Sequence, residues 1–258
     1  MTPRPEIEDV TAETVRPVGR PWLVQSWRDL AFLHWPVDPA VVAPLLPAGT
    51  HPDTLGGVTF VGLIGFRMVG LGLLRGPGIP YLGTFCETNV RLYSVDGQGR
   101  RAVVFRSLDA SRLLPVLTAR VTLRLPYMWS RMSLTRDGDA LTYTASRWWP
   151  RAGRAGTAVA PQRVRGAFAI RAGGLIAEPT PLEHFLTARW GLHTRAWGRT
   201  LHLPNEHPRW PLHRATLLWL DDALVTAAGL PAPPGPPVSV LYSPGVPVVF
   251  GAPSVVPA

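Results

Sequence analysis

The segment "FCETNVRLYS", Phe85 to Ser94, sets a carboxylate, an amide, a guanidinium and a phenol at every second position: Glu87, Asn89, Arg91 and Tyr93. In an extended chain, successive side chains leave on opposite faces. These four therefore share one side with Phe85, and Cys86, Thr88, Val90 and Leu92 share the other. The apolar side packs against a core. The polar side either meets water or lines a polar cavity that binds something, and a single such strand is satisfied by water alone. Two further stretches repeat the pattern. "WRDLAFLHW" groups Arg28 and His34 with Leu30 and Phe32, and "ARVTLRL" groups Arg120, Thr122 and Arg124. Several polar faces interleaved with Trp, Phe and Leu favour the interior of a closed or nearly closed barrel, which must be filled or hold a ligand.

Other chemistries fail on spacing or on missing residues. "GQGRRA", Gly97 to Ala102, has the letters of a dinucleotide fingerprint. That motif needs a helix behind it, and the strand-like "VVFRSL" follows instead, so the stretch reads as a hairpin. "GLGLLRG" lacks the third glycine. A phosphate loop of the Walker type is impossible without lysine, and no G-x-S-x-G elbow occurs. In "HLPNEHPRWPLH", His202, Glu206, His207 and His213 crowd together, but Pro204, Pro208 and Pro211 forbid a regular helix and no familiar zinc spacing appears. These histidines read as surface or hydrogen-bonded groups. Cys86, on the apolar side of its strand, reads as a buried and inert thiol. No metal and no cofactor is called for.

The elements that must carry these residues are mostly strands. Alternating or β-rich runs cover Trp27 to Trp35, Val58 to Arg67, Phe85 to Val95, Ala102 to Leu108, Ala119 to Leu125, Met132 to Thr135 and Ala140 to Trp148, with "DGQGR" and "RDGD" as hairpin turns. Helices are fewer. "DPAVVAPLL" starts on Asp38 as cap with Pro39 in the first turn, and "TPLEHFLTARWGL" has Thr180 and Glu183 in capping-box register. A third helix is expected from Asp221 to Ala228. "PRAGRAGTAVAPQRVRG" reads as an exposed loop or twisted edge, "GLPAPPGPP" as a connector, and "VSVLYSPGVPVVFG" as late strands returning to the sheet. The fold class is α+β and dominated by β structure: antiparallel strands with a few outer helices. Residues 1–20 read as a flexible tail and 21–258 as one domain.

A chain of 258 residues with 46% hydrophobic residues, ten Trp and only 17% charged residues can bury a large core without staples, and its single cysteine excludes an internal disulfide. The opening residues lack the apolar run of a signal peptide. The most membrane-like window, "GVTFVGLIGFRMVGLGLLRG", is glycine-rich and interrupted by Arg67, short of the ~20 apolar residues of a spanning helix. A soluble cytoplasmic protein without a membrane partner is expected. The net charge of +9 raises nucleic acid as a partner. All 26 basic residues are Arg, however, scattered singly and not massed as phosphate-tracking surfaces usually are. A nucleic-acid partner is disfavoured.

The motifs "WRDLAFLHWPVDPAVVAPLLPAGTHPDTLGG", "FCETNVRLYS", "FRSLDAS", "LPYM", "LTARWGLH" and "EHPRWPL" together resemble the uncharacterised YqjF-like bacterial family of the acetoacetate decarboxylase-like superfamily, over most of the chain from Pro21 onward. The resemblance implies a barrel-like fold, two sheets wrapped around a central cavity with helices outside. It implies no reaction. Glu87 falls where the decarboxylases have a cavity Glu, and Arg28 looks like their substrate-facing Arg. Their catalytic Lys follows a Pro in a segment similar to "LRLPYM", where this chain has Pro126 and Tyr127. Schiff-base decarboxylation needs a side-chain amine, and the chain has no Lys.

What remains is a cavity that binds a small anionic or carbonyl-bearing molecule. A desolvated Glu87 can act as general acid or base, Tyr127 can donate a hydrogen bond, and Arg28 or Arg91 can hold a carboxylate. His34, Asn89 and Arg120 complete the expected binding face. Acid-base catalysis and simple binding stand level, and a homo-oligomer is compatible with either. The alternative of another class is a basic module for nucleic acid or an acidic protein.

Overall fold

A computed structural model describes residues 6–149 and 164–257. Thirteen strands form one sheet: β1 (Leu23–Val37), β2 (Thr50–Pro52), β3 (Thr59–Leu73), β4 (Phe85–Asp96), β5 (Arg101–Ala110), β6 (Tyr127–Asp137), β7 (Ala140–Trp149), β8 (Arg165–Leu175), β9 (Gly191–Ala196), β10 (Arg199–Glu206), β11 (His213–Asp222), β12 (Ser239–Phe250) and β13 (Ser254–Val255). The helices are α1 (Pro39–Val42), extended by a 3-10 turn over Ala43–Leu45, α2 (Leu113–Thr122), α3 (Pro181–Thr187) and α4 (Leu224–Ala227).

The strand order β13-β10-β9-β5-β6-β7-β8-β11-β12-β1-β3-β4-β2 is closed twice, by the added pairings β4 to β5 and β10 to β12. Two rings result. Both contain the wall β12-β1-β3-β4-β5, and it is completed by β6, β7, β8 and β11 on one side and by β9 and β10 on the other. One sheet thus replaces the two that were expected. It is also not purely antiparallel, since β5 pairs in parallel with β6 and β9.

A wall shared by two rings is buried on both faces, which explains its sequence. Leu30 to Trp35 are buried without a break, and so is β3 from Thr59 to Phe66. Such strands read as continuous apolar runs and not as alternation; hence the membrane-like look of "VTFVGLIGF". Among the described residues no helix is long and apolar enough to cross a membrane. One face of the wall packs Leu33, Trp35, Leu63, Val90 and Leu92 against Leu141, Tyr143, Phe168 and Ile170. The larger ring is therefore filled with hydrocarbon, and each fully buried side chain of this size contributes roughly 1.5–3 kcal/mol. The other face carries Leu30, Phe32, Ile64, Phe66 and Phe85 beside Trp210, and then Phe60 and Tyr93 beside Phe185, Leu192 and Leu203.

Asp38 caps α1 through the Ala40 amide, and Thr180 and Glu183 form the reciprocal capping box of α3, as their spacing predicts. The hairpins at Asp96 to Arg100 and Arg136 to Asp139 also form. Two expectations need correction. Ala119 to Leu125 is not a strand: α2 occupies Leu113–Thr122, and Arg124 ends it in the left-handed region at φ 53°. Its N-terminal residue, Arg112, makes no capping bond, so the sequence carried no start signal. The third helix is short, because Asp221 and Asp222 belong to β11. Residues 6–20 form no helix or strand; Glu8 takes the Arg101 backbone amide at 2.7 Å and pairs with Arg16, and the Val18 amide donates to Glu206 at 2.6 Å. The stretch 150–166, expected as an exposed loop or twisted edge, lies outside the described residues up to 163, and Arg165 and Gly166 belong to β8.

Candidate functional site

The register of the shared wall lines up the polar row. His34 on β1, Gly62 on β3 and Arg91 on β4 lie side by side, as do Phe32, Ile64 and Asn89, and Phe66 is opposite Glu87. All of these look toward the smaller ring. Gly62 is needed between two large neighbours: a Cβ there would sit 3.0 Å from His34 Nε2 and 3.3 Å from Arg91 Cγ. Tyr127 enters from the start of β6, which pairs with β5 at Leu108.

Glu87 is 3% exposed. Tyr127 Oη donates to its Oε2 at 2.9 Å and Asn89 Nδ2 to its Oε1 at 3.4 Å. It has no cationic partner among the described residues. Burial pushes its pKa up to about 7, against the two hydrogen bonds that favour the charged form and with a smaller push from the charge of Asp109. Tyr127 is held well above the usual phenol range by burial and then by Glu87. Asp109, one strand away on the opposite face, shows the contrast. Arg147 donates to both of its oxygens, at 2.9 and 2.7 Å, and Ser130 Oγ adds a bond at 2.6 Å. Asp109 is locked by a cation, and Glu87 is left free to change its proton.

At the other end of the row, Arg91 is half-buried. Its Nη2 donates to the Leu186 carbonyl at 2.8 Å and its Nε to Tyr93 Oη at 3.3 Å, and the guanidinium lies 5.6 Å from the Phe32 and Tyr93 ring centres. Each of these partners is neutral. His34 Nε2 meets Tyr93 Oη at 2.7 Å, and Tyr93 donates its proton to the Leu186 carbonyl at 2.8 Å. His34 must therefore be the donor to Tyr93, which puts its proton on Nε2 and a lone pair on Nδ1. Burial, then the charges of Arg91 and Arg189, hold its pKa well below the ordinary value, so the ring is neutral. His34 Nδ1, Asn89 Oδ1 and Trp27 Nε1 are shut from water and have no protein partner among the described residues. Buried polar atoms are nearly always bonded, so each such atom asks for an explanation.

Two expected site residues lie elsewhere. Arg28 is exposed. Asp29 takes φ 50°, and the pairing of β1 with β3 slips between Arg28 and Ala31. This bulge reverses the alternation, so Trp27 and not Arg28 faces inward with Leu30, Phe32 and His34. Arg120 sits on α2, where its Nη1 donates to the Tyr127 carbonyl at 2.6 Å and its guanidinium lies 5.0 Å from the Trp149 ring centre. It supports the backbone of Tyr127 and does not share a strand face with the row.

The sequence reading missed Arg189, which lies 4.9 and 4.4 Å from the Tyr93 and Phe185 ring centres and pairs with buried Asp53 at 2.9 Å. Burial lowers its pKa to about 10, so it remains charged. Trp27, Trp210 and His207 were missed as well. Trp210 stacks on Trp27 at 6.0 Å and His207 packs 4.5 Å from Trp210. Only "LTARWGLH" and "EHPRWPL" signalled Arg189, His207 and Trp210, and neither has a regular period; Trp27 opens "WRDLAFLHW", where simple alternation pointed to Arg28 instead. Of the four ligand-type residues crowded near position 207, His202 pairs with His193 in the sheet, Glu206 binds the Val18 amide, His207 stacks, and His213 bonds the Gly173 carbonyl. Among the described residues no group of three His, Cys, Asp or Glu is placed to hold a metal. Cys86 is partly buried, and burial raises its thiol pKa.

Known proteins bear on this site through sequence and through fold. Uncharacterized protein YqjF of Bacillus subtilis (strain 168) is 30% identical over 218 residues, 84% of this chain and 86% of that protein. Among solved structures, the enduracididine biosynthesis enzyme MppR complexed with pyruvate matches at a TM-score of 0.59 and 14% identity, covering 95% of this chain and 92% of that one. Acetoacetate decarboxylase from Legionella pneumophila matches at 0.58 and 13%, covering 95% and 90%. At these identities the likeness is one of fold. The model of DUF2071, described as an uncharacterized conserved protein, matches residues 24–247, and with YqjF as a relative and an acetoacetate decarboxylase-like fold, the chain belongs to that family.

Proposed function

We propose that the chain binds a small carbonyl-bearing anion against the inner face of the smaller ring, with Glu87 as a general acid-base group that works without an amine. The observation that carries this is the state of Glu87: buried, bonded only to Tyr127 and Asn89 among the described residues, and titrating near neutrality. At such a pKa both protonation states are populated at pH 7, one to take a proton from the carbon beside a carbonyl and the other to return it. Arg91, bonded to neutral groups, is the cation to which the ligand's carboxylate pairs. Glu87 and Arg91 share one face of β4 with Asn89 between them, and the ligand sits over Asn89 within reach of both side chains. The unpartnered atoms of His34, Asn89 and Trp27 support the reading, since a ligand supplies what the protein does not. MppR, which shares the fold, is known in complex with pyruvate, and this supports the ligand class.

The test is a thermal-shift screen of 2-oxo and 3-oxo acids on the native chain, Arg91→Gln and Glu87→Gln, followed by exchange of carbon-bound protons for deuterium in D2O. An oxo acid that raises Tm of the native chain, loses that effect in Arg91→Gln and exchanges only when Glu87 is present supports an enzyme. Stabilisation that depends on Arg91 without exchange supports a binding protein. Equal responses in all three chains would place the ligand elsewhere and end the proposal.

A further inference from the structure

A cavity lies on the outside of the smaller ring. Along β10, Leu201 and Leu203 face the interior core, so His202 and Pro204 point the other way. There the segment 16–20 runs past β10 and the end of β12, and a cavity of about 330 Å³ opens, lined among others by Arg16, Val18, Arg20, Arg100, His202 and Ser254. Strand β10 separates it from the interior of the ring, which Glu87 faces.

Its walls hold positive charge and unused donors. Arg100 Nε bonds Asp96 at 2.7 Å, but its Nη2 is buried with no partner among the described residues. Arg20 is exposed and pairs with no acid among the described residues. Ser254 Oγ makes only a long 3.5 Å bond to the His202 carbonyl. The carboxylates nearby are already engaged: Glu8 by Arg16 and the Arg101 amide, Asp96 by Arg100, His193 and two backbone amides, and Glu206 by the Val18 amide. His202 is held neutral, with a pKa of about 3, by burial and then by the neighbouring His193, so it brings no charge.

We infer that this cavity binds the phosphate group of a small molecule. Guanidinium forks match phosphate oxygens, and a phosphate monoester carries about −1.5 to −2 charges near neutrality, which suits a lining that carries the charge of Arg20 and Arg100. The volume exceeds that of a lone phosphate and leaves room for the rest of the molecule. Bound there, it ties the segment 16–20 to the strands beneath.

Inorganic phosphate is the probe, titrated calorimetrically and by thermal shift into the full chain at constant ionic strength, with chloride as the control ion. Phosphate is expected to raise Tm beyond chloride. Arg20→Gln, which removes no internal bond, should bind at least fivefold more weakly, Arg100→Gln at least as weakly again, and Glu87→Gln like the native chain. Equal effects of phosphate and chloride, or native-like binding by Arg20→Gln, would overturn the inference.

Discussion

Glu87 couples stability to pH because burial raises its carboxyl from 4.5 to about 7. The folded state therefore holds the proton more tightly than the unfolded state. The stability this contributes is complete below about pH 4.5 and is lost as pH rises through 7. The whole effect is about 3 kcal/mol. Glu87→Gln cannot titrate, so its stability relative to the native chain should improve by about that amount between pH 4 and pH 8.5. Urea unfolding at both pH values checks this, and parallel curves would mean that the carboxyl titrates normally. Tyr127→Phe removes the donor that favours the charged carboxylate. It should cost about 1–3 kcal/mol above pH 8, less at pH 5, and shift the Glu87 midpoint upward. The polar row was legible in the sequence because a strand has a period of two. That Glu87 lacks a cation among the described residues while Asp109 is clamped by Arg147 was not, because those partners come from strands far apart in the chain.

The β1 bulge decides which residue enters the site. Gly245 on β12 makes it possible: it lies opposite Arg28 at φ 116°, where an added Cβ would fall 1.9 Å from the Trp27 carbonyl oxygen. Gly245→Ala should therefore cost at least about 2 kcal/mol and alter the emission of Trp27, as read by denaturation followed through fluorescence. The helix α2 acts on the site through Arg120. Arg120→Gln loses the bond to the Tyr127 carbonyl and should move the pH midpoint of Glu87 while leaving the fold intact, a change that a purely surface role for Arg120 would not produce. Neither element could be read from alternation. A bulge reverses parity without changing the pattern of residue types, and an uncapped helix with Val116, Val121 and Thr122 looks like a strand.

Among the described residues many of the arginines are dispersed into separate partnerships. Arg147 pairs with Asp109, Arg189 and Arg101 with Asp53, Arg100 with Asp96 and Arg16 with Glu8, while Arg112 and Arg124 stack on Tyr81 and Trp197. These guanidinium groups are thus engaged in scattered local contacts and not massed in one patch. Duplex or single-stranded DNA should not be retained in a filter assay at about 0.15 M salt; retention that falls steeply with salt would instead favour the nucleic-acid reading.

By itself the sequence determined the β-dominated class, the hairpins, the caps of α1 and α3, and the row of Glu87, Asn89 and Arg91 along one strand. Each of these rests on local periodicity or on a residue's own backbone preference. Tertiary structure alone decided that the row faces the smaller ring while hydrocarbon fills the larger. It also decided that Trp27 displaces Arg28, that Arg189 joins the row, and that Glu87 has no counter-charge among the described residues. Those outcomes depend on register, bulges and ring closure between strands remote in sequence, where no local signal reaches.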